Sequence, residues 1–183
     1  GWLCRQLASR GASVTGVDIS DGQIAFARRH ESTNPHGIEY RVLAAERVAK
    51  EWTPGDFDMV AACMSLHDMP DPSAAIIAAA ELLPPDGRLV FSVPHSATDT
   101  PFRVWERGPH GEQLSLKIDR YFESGPGVLD WRMARLKYRF QTPMWRKTLS
   151  EWSAMIAAAG LLIHRIHEPR PSAEQVERNP ALE

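Results

Sequence analysis

Apolar and polar residues along the chain follow two alternating periods. Short, nearly continuous apolar runs predict buried β-strands, at 13–17, 38–43, 57–63, 88–93 and 161–167. Elsewhere apolar residues recur every three or four positions and predict helices, at 1–10, 20–29, 71–83 and 148–159. Because strands and helices take turns along the chain, we expect an α/β fold in which parallel strands are joined by right-handed helical crossovers.

The ends of the predicted helices carry residues with specific backbone roles. Capping boxes, in which two side chains bind the free N–H groups of a helix start, are predicted at 20–23 and 148–151. Asp71 precedes Pro72, which suits the first helical position because that position needs no N–H donor. These signals set the predicted starts of three of the four helices.

Residues 94–148 interrupt the alternation and hold eight of the fifteen aromatic residues in the chain. Apolar positions alternate up to Met133 and again, one residue out of phase, from Leu136, which predicts a bulged strand. We interpret residues 94–148 as an inserted lid that covers a substrate, and call this segment the lid.

Composition and charge narrow the class of protein. A length of 183 residues with 43% hydrophobic content predicts one domain over 1–183. The net charge of -2 argues against a nucleic-acid partner, and no apolar run is long enough to predict a membrane span. Cys4 and Cys63 lie in apolar stretches, so we expect buried, reduced thiols and a cytoplasmic location. Oligomeric state is not predicted.

Asp18 is the most informative single residue. It ends a predicted strand, and an acid at the carboxyl end of such a strand can accept both hydroxyls of a ribose. Many NAD enzymes place an acid there as well. A helix-capping carboxylate is a further interpretation of the same residue.

Four segments together carry a family resemblance, at 7–20, 43–46, 57–72 and 82–90. They resemble the first helix and acidic strand end, the loop after the third strand, the fourth strand with its loop, and the turn before the fifth strand of class I S-adenosylmethionine-dependent methyltransferases. The turn has Asp86 where that family more often has glycine, which turn geometry tolerates. The resemblance is strongest to the small-molecule branch that includes quinone-biosynthesis enzymes.

The resemblance implies a Rossmann-like, doubly wound, mostly parallel sheet, with the lid inserted between the fifth strand and the following helix. It also implies S-adenosylmethionine as the cofactor. In that family a G-x-G-x-G loop joins the first strand to the first helix, and Gly1 matches its last glycine. We therefore expect the chain to be truncated, with the first strand and two further glycines lying before residue 1. A closing antiparallel strand is also expected to be missing after the chain's other end.

The same resemblance implies the cofactor-binding residues, which are Gly1, Asp18, Ile19, Ala44, Ala45, Met64, Ser65 and Leu66. Ala44 stands where many members have an aspartate that binds the adenine amino group. Recognition of the adenine would then depend on the backbone of Ala45 and on apolar contact with Ile19.

Methyl transfer from a sulfonium needs positioning, exclusion of water and, for some acceptors, removal of a proton, but no protein nucleophile. His67 and His95 follow the fourth and fifth strands of the family pattern, so each is a candidate general base. Packing or shaping of the substrate site is the alternative role for both. His164 and His167 have the period of an edge strand facing solvent, and no metal site is predicted.

Within the lid, Tyr121, Trp131 and Trp145 are the candidate substrate-binding residues. The lid contains ten Lys and Arg residues against six acids, and this positive balance favours an anionic or aromatic acceptor. Alternatively, the charged residues form the solvated faces of the lid's strands. We expect transfer of a methyl group to O, N or C of a small organic molecule. An NAD-dependent oxidoreductase and a non-catalytic, methyltransferase-like binding subunit are the alternatives.

Overall fold

The computed structural model describes residues 1–133 and 138–178. It contains five α-helices within these ranges, α1 Trp2–Ala8, α2 Asp21–Thr33, α3 Pro72–Glu81, α4 Leu149–Ala158 and α5 Ala173–Arg178. The strands are β1 Thr15–Asp18, β2 Glu39–Val42, β3 Met59–Cys63, β4 Arg88–Ser92, β5 Arg103–Arg107, β6 Gln113–Ile118, β7 Gly125–Met133 and β8 Tyr138–Arg146. Two 3-10 helices lie at Ala45–Lys50 and Leu66–Asp68.

The first four strands pair in parallel, as predicted. β1 pairs with β2, and β3 pairs with β4, with Asp18 opposite Val42 and Cys63 opposite Ser92. A helix connects the strands of each pair, so the α/β alternation is confirmed. In the described residues the ladders form two separate parallel pairs rather than one continuous sheet.

The helices begin where the capping residues predicted. Ser20 accepts a hydrogen bond from the Gln23 N–H, and Asp71 accepts one from the Ser73 N–H. Thr148 and Glu151 form a complete capping box at the start of α4. α2 continues to Thr33, four residues beyond its predicted end.

The core consists of three clusters beside the parallel strands. Ile24, Ala27, Ile38 and Tyr40 form the first, between α2 and β2. Leu66, Ala75, Ile76 and Trp152 form the second, which joins α3 to α4 and packs on β4. Val48, Ala78 and Leu82 form the third. The parallel strands are thus covered by helices that the apolar pattern predicted.

The lid contains two antiparallel hairpins, β5–β6 and β7–β8. The predicted bulged strand is wrong: Met133 pairs with Tyr138, so the two out-of-phase apolar runs belong to different strands. An irregular register occurs instead between Glu106 and Arg107 in the first hairpin. Leu136 lies outside the described residues.

Residues 161–167 do not form the predicted strand. A strand needs a neighbour for its N–H and C=O groups, and no described strand pairs with this segment. Leu161 still packs against the core, but the apolar residues after it are exposed, with Leu162 at 95%. The edge-strand interpretation of His164 and His167 is therefore wrong as well.

Candidate functional site

A cavity of about 40 Å³ lies at the carboxyl end of β1. We call it the Asp18 cavity; its lining residues are Gly1, Cys4, Gly16, Val17, Asp18, Gln23, Ile24, Ala27 and Tyr40. β1, α1 and α2 supply most of these residues, and Tyr40 comes from β2. The structure thus brings together two predicted cofactor residues, Gly1 and Asp18, that are far apart in sequence.

The Asp18 carboxylate is exposed at this cavity. Its Oδ1 accepts a hydrogen bond of 2.8 Å from the Ser20 N–H, just before α2 begins. This bond orients the carboxylate at the end of the strand. The Asp18 side chain is therefore positioned both by the end of β1 and by the backbone at the start of α2.

Gly16 and Gly1 let the side chains around the Asp18 cavity pack closely, and sequence reasoning missed the role of Gly16. A Cβ atom on Gly16 would lie 2.8 Å from Cδ1 of Tyr40 and 2.9 Å from Sγ of Cys4. A Cβ atom on Gly1 would lie 3.0 Å from Cβ of Ala27. The signal was available, since a glycine inside a strand often marks close approach of another group.

The other predicted adenine contacts lie outside this cavity's lining. Ile19 is 75% exposed, beyond the end of β1. Ala44 precedes the 3-10 helix Ala45–Lys50, and Ala45 packs against the core cluster that contains Leu66. Their position after β2 places them at the same carboxyl edge as Asp18, because β1 and β2 are parallel.

The loop after β3 begins with an unusual backbone. Met64 has φ of 51°, a left-handed conformation that is uncommon for a residue with a side chain. Its N–H donates to Ser92, to the carbonyl at 3.0 Å and to Oγ at 3.2 Å. Ser65 is half-buried, and the Leu66 side chain belongs to the core, so only its backbone can face a ligand.

A second, smaller cavity of about 10 Å³ lies beyond the carboxyl ends of β3 and β4, where the lid meets them. We call it the His67 cavity; its lining residues are His67, Val93, Pro94, Ser96, Asp99, Trp145, Arg146, Lys147 and Trp152. Its volume matches about one water-sized group. β8 packs against the 3-10 helix that carries His67, which brings the lid to this edge.

One ring nitrogen of His67 is unpartnered. Its Nδ1 is buried and has no hydrogen-bond partner among the residues that the structure describes. Its Nε2 lies 3.5 Å from Oδ1 of Asp68. A carboxylate beside one nitrogen stabilises the protonated imidazole that forms when the other nitrogen takes a proton.

His95 is placed differently. Its Nδ1 accepts a hydrogen bond from the Ala97 N–H at 3.2 Å, and its Nε2 lies 3.0 Å from Oε1 of Glu168. Both ring nitrogens are therefore engaged, and His95 joins the loop after β4 to the segment after α4. The geometry favours His67 over His95 as a proton acceptor.

Asp99 is a site residue that sequence reasoning missed. It lines the His67 cavity, and burial raises the pKa of its carboxyl above the usual value, an effect that His67 and Arg103 partly oppose. Its N–H donates to the His95 carbonyl at 2.9 Å. Its position in the loop directly after β4 was the available signal, because ligands bind at the carboxyl ends of parallel strands.

The three predicted lid residues have separate locations. Trp145 lines the His67 cavity. The Tyr121 hydroxyl instead accepts a hydrogen bond of 3.1 Å from the Leu149 N–H, at the start of α4. The Trp131 side chain lies outside the described residues.

Of the two predicted core cysteines, Cys4 is half-buried, but Cys63 is exposed because it ends β3.

Comparison with known proteins identifies the fold. Residues 1–91 match a family model described as "Methyltransferase domain". An S-adenosylmethionine-dependent methyltransferase structure from Mesorhizobium loti covers the whole chain with a TM-score of 0.79 and 25% identity, over 79% of its own length. A related structure from Listeria monocytogenes has a TM-score of 0.78 and 26% identity, over 78% of its length. The chain belongs to the class I S-adenosylmethionine-dependent methyltransferases.

Curated relatives match about half of the chain. The ubiquinone biosynthesis O-methyltransferase of Pseudomonas paraeruginosa is 39% identical over 92 residues, which are 50% of this chain. The same enzyme of Pseudomonas fluorescens strain Pf0-1 is 38% identical over 92 residues. The match spans 39% of the length of each of these two relatives.

The methyltransferase fold implies S-adenosylmethionine, and the Asp18 cavity fits the ribose end of that cofactor. Asp18 offers an exposed carboxylate at a strand end, and Gly1 and Gly16 line the same cavity. In the described ranges, no group of three His, Cys, Asp or Glu side chains is arranged to hold a metal ion. No described helix has the length and apolar character needed to cross a membrane.

Proposed function

We propose that the protein transfers a methyl group from S-adenosylmethionine to an oxygen, nitrogen or carbon atom of a small organic molecule. The observation that carries this proposal is the Asp18 cavity, which combines a strand-end carboxylate with two glycines in a chain whose first 91 residues match a methyltransferase family. Oxygen is the favoured acceptor atom, because the curated relatives are named as O-methyltransferases.

The first task of the chain's own residues in this reaction is to hold the cofactor. When bound, S-adenosylmethionine supplies a methyl group on a positively charged sulfur. Asp18 accepts hydrogen bonds from the ribose hydroxyls and holds the cofactor in register with the strand end. The loop at Met64–Leu66 lies along the same edge, and its left-handed start at Met64 supports a ligand-binding role.

His67 is the proposed general base. Its unpartnered Nδ1 takes the proton from the acceptor hydroxyl, while Asp68 stabilises the resulting imidazolium from 3.5 Å. Trp145 closes the lid side of the His67 cavity and excludes water from it. His95 has a positioning role in this scheme, since both of its nitrogens are engaged.

The remaining parts of the proposal concern location and partners. We propose a cytoplasmic protein whose two cysteines stay reduced, in keeping with their free state in the structure. The proposed partner is the small acceptor, with neither nucleic acid nor membrane. An NAD-dependent oxidoreductase shares the strand-end acid but not the family match over residues 1–91.

The test is calorimetric titration of the full-length protein with S-adenosylhomocysteine and, separately, with NADH. We expect binding of the first only. Asp18→Ala should weaken it by about 1–3 kcal/mol, because hydrogen bonds to a charged group are lost. Asp21→Ala is the matched control, an exposed acid three residues away at the start of α2.

An unchanged affinity in Asp18→Ala would show that the carboxylate is not the ribose ligand. Absence of S-adenosylhomocysteine binding at millimolar concentration would remove the enzyme proposal and favour a non-catalytic subunit, for which Ala44 is the motivating residue.

A further inference from the structure

Arg146, at the end of β8, has an unsatisfied guanidinium. Its Nε and Nη1 atoms are buried, and neither has a hydrogen-bond partner in residues 1–133 and 138–178. A buried donor without a partner costs about 1–3 kcal/mol, and more when it is charged. A cation therefore lies at the junction of lid and parallel strands with no carboxylate in direct contact among the described residues.

The guanidinium is held in place by an aromatic ring. Its Cζ atom lies 4.9 Å from the centre of the Phe102 ring, and Cζ of Arg120 lies 4.0 Å from the same ring. Arg120 is paired with Glu123. The two arginines on Phe102 thus differ. Arg120 forms an ion pair with Glu123, whereas Arg146 interacts with Glu123 only electrostatically, at longer range.

Arg146 lines the His67 cavity together with Lys147. Two basic side chains and one acidic side chain, Asp99, therefore line this cavity. Burial raises the pKa of Asp99, which reduces its repulsion of an anion as the pH falls toward the raised value. The cavity accommodates about one water-sized group, which suits the end group of an acceptor rather than a ring.

We propose that Arg146 binds the carboxylate of the methyl acceptor, so that the substrate class is small hydroxycarboxylic acids. The proposal rests on the proposed function, in which the His67 cavity receives the acceptor. In this proposal the free N–H groups of Arg146 donate to the carboxylate, and the hydroxyl that is methylated lies toward His67, which lines the same cavity. Arg146 is thus a specificity-determining residue for the anionic group.

The experiment compares benzoate with benzamide, which has nearly the same shape but no charge. Binding to the full-length protein is followed through tryptophan fluorescence, because Trp145 and Trp152 line the cavity. We expect benzoate to bind at least about tenfold more tightly, since charge-assisted hydrogen bonds are the stronger ones. Arg146→Met should abolish the preference and leave benzamide affinity unchanged.

Arg120→Met is the matched control, since it removes the other cation on Phe102 but leaves Arg146 in place; it should keep the preference. Arg146→Lys keeps the charge without the guanidinium and should retain only part of the preference, which covers the case in which Arg146→Met does not fold. Equal binding of benzoate and benzamide by the wild type, or an undiminished preference in either Arg146 variant, would overturn the assignment.

These titrations need no methyl transfer. If S-adenosylhomocysteine does not bind while benzoate shows the expected preference, the proposed function fails and the anion site stands. If the cofactor product binds but benzoate has no preference, only the substrate class fails.

Discussion

The parallel part, residues 1–93 with α4, and the lid keep their strands in place by different means. In the parallel part, helices bury the strands, and Ile76 and Trp152 are 0% and 5% exposed. In the lid, strands pair only as hairpins, all five residues of β5 are exposed, and Val104 is 64% exposed. The parallel part supplies most of the protein's buried apolar surface, whereas the lid supplies positioned polar groups.

A few contacts join the two parts at the start of α4. The Tyr121 hydroxyl accepts from the Leu149 N–H, and Ser124 of the lid donates to Glu151 of the capping box. The His67 cavity lies at the same junction, with Trp145 and Arg146 contributed by the lid. Function is therefore expected to depend on the junction, and stability on the parallel part.

The largest expected effect is on catalysis at the junction. His67→Gln should lower kcat by about 10²–10⁴-fold, because proton removal by a positioned base is lost. Affinity for S-adenosylhomocysteine should not change. Turnover of a phenolic acceptor as a function of pH is the measurement, and His95→Gln is the control, expected to retain most activity. Equal losses in both variants would contradict the assignment of His67.

A pair of tryptophan variants tests where the stability lies. Trp152→Ala should lower the free energy of unfolding by about 3–5 kcal/mol, because it leaves a cavity beside Phe91 and Ile76. Trp105→Ala in the lid, where the side chain is 44% exposed, should cost about 0.5 kcal/mol or less. Chemical denaturation measures both. Similar losses of unfolding free energy in the two variants would mean that Trp105 is packed as tightly in the lid as Trp152 is in the core.

Gly16 tests the packing behind the Asp18 cavity. Gly16→Ala should destabilise by about 1–3 kcal/mol, because the added methyl group overlaps Tyr40 and Cys4. Gly22→Ala is the matched control: its Cβ meets nothing closer than 3.8 Å, and alanine in α2 should stabilise by about 0.5–1 kcal/mol. Thermal unfolding separates the two signs, and stabilisation by both would show that Tyr40 readily moves.

The smallest effect concerns Glu151, which connects lid and helix. Burial raises the pKa of its carboxyl, but hydrogen bonds from Ser124 and Thr148 outweigh that effect and hold the pKa below the ordinary 4.5. Its contribution to stability is therefore present above pH 4.5 and is lost as the pH falls through the lowered value. Glu151→Gln keeps a capping side chain but should remove this part of the acid dependence.

Denaturation of wild type and Glu151→Gln across this pH range is the measurement. The two curves should converge at acid pH. A constant difference between them would show that the carboxylate charge contributes nothing to the junction.

Much of the parallel part could be predicted from residues close together in sequence. The caps at Ser20, Asp71 and Thr148 and the acidic strand end at Asp18 depend on local backbone geometry, so their patterns identified the element boundaries. The strand predicted at 161–167 does not form, because a strand depends on contacts that are distant in sequence. Its apolar alternation suits a strand, but a strand forms only where another strand offers hydrogen bonds.

The chemistry of the site depended on tertiary structure. His95 has both ring nitrogens engaged, one by the neighbouring Ala97 and the other by Glu168, which is distant in sequence. His67 has Asp68 beside one nitrogen and keeps the other without a described partner. Asp99 and Arg146 became candidates only when the lid was seen to meet the strand ends. Sequence by itself determined the helices and strands of residues 1–93 and the position of Asp18 at a strand end, because these follow local rules. The tertiary structure decided which side chains share a cavity, because burial and unpaired hydrogen-bond donors are properties of contacts between distant segments.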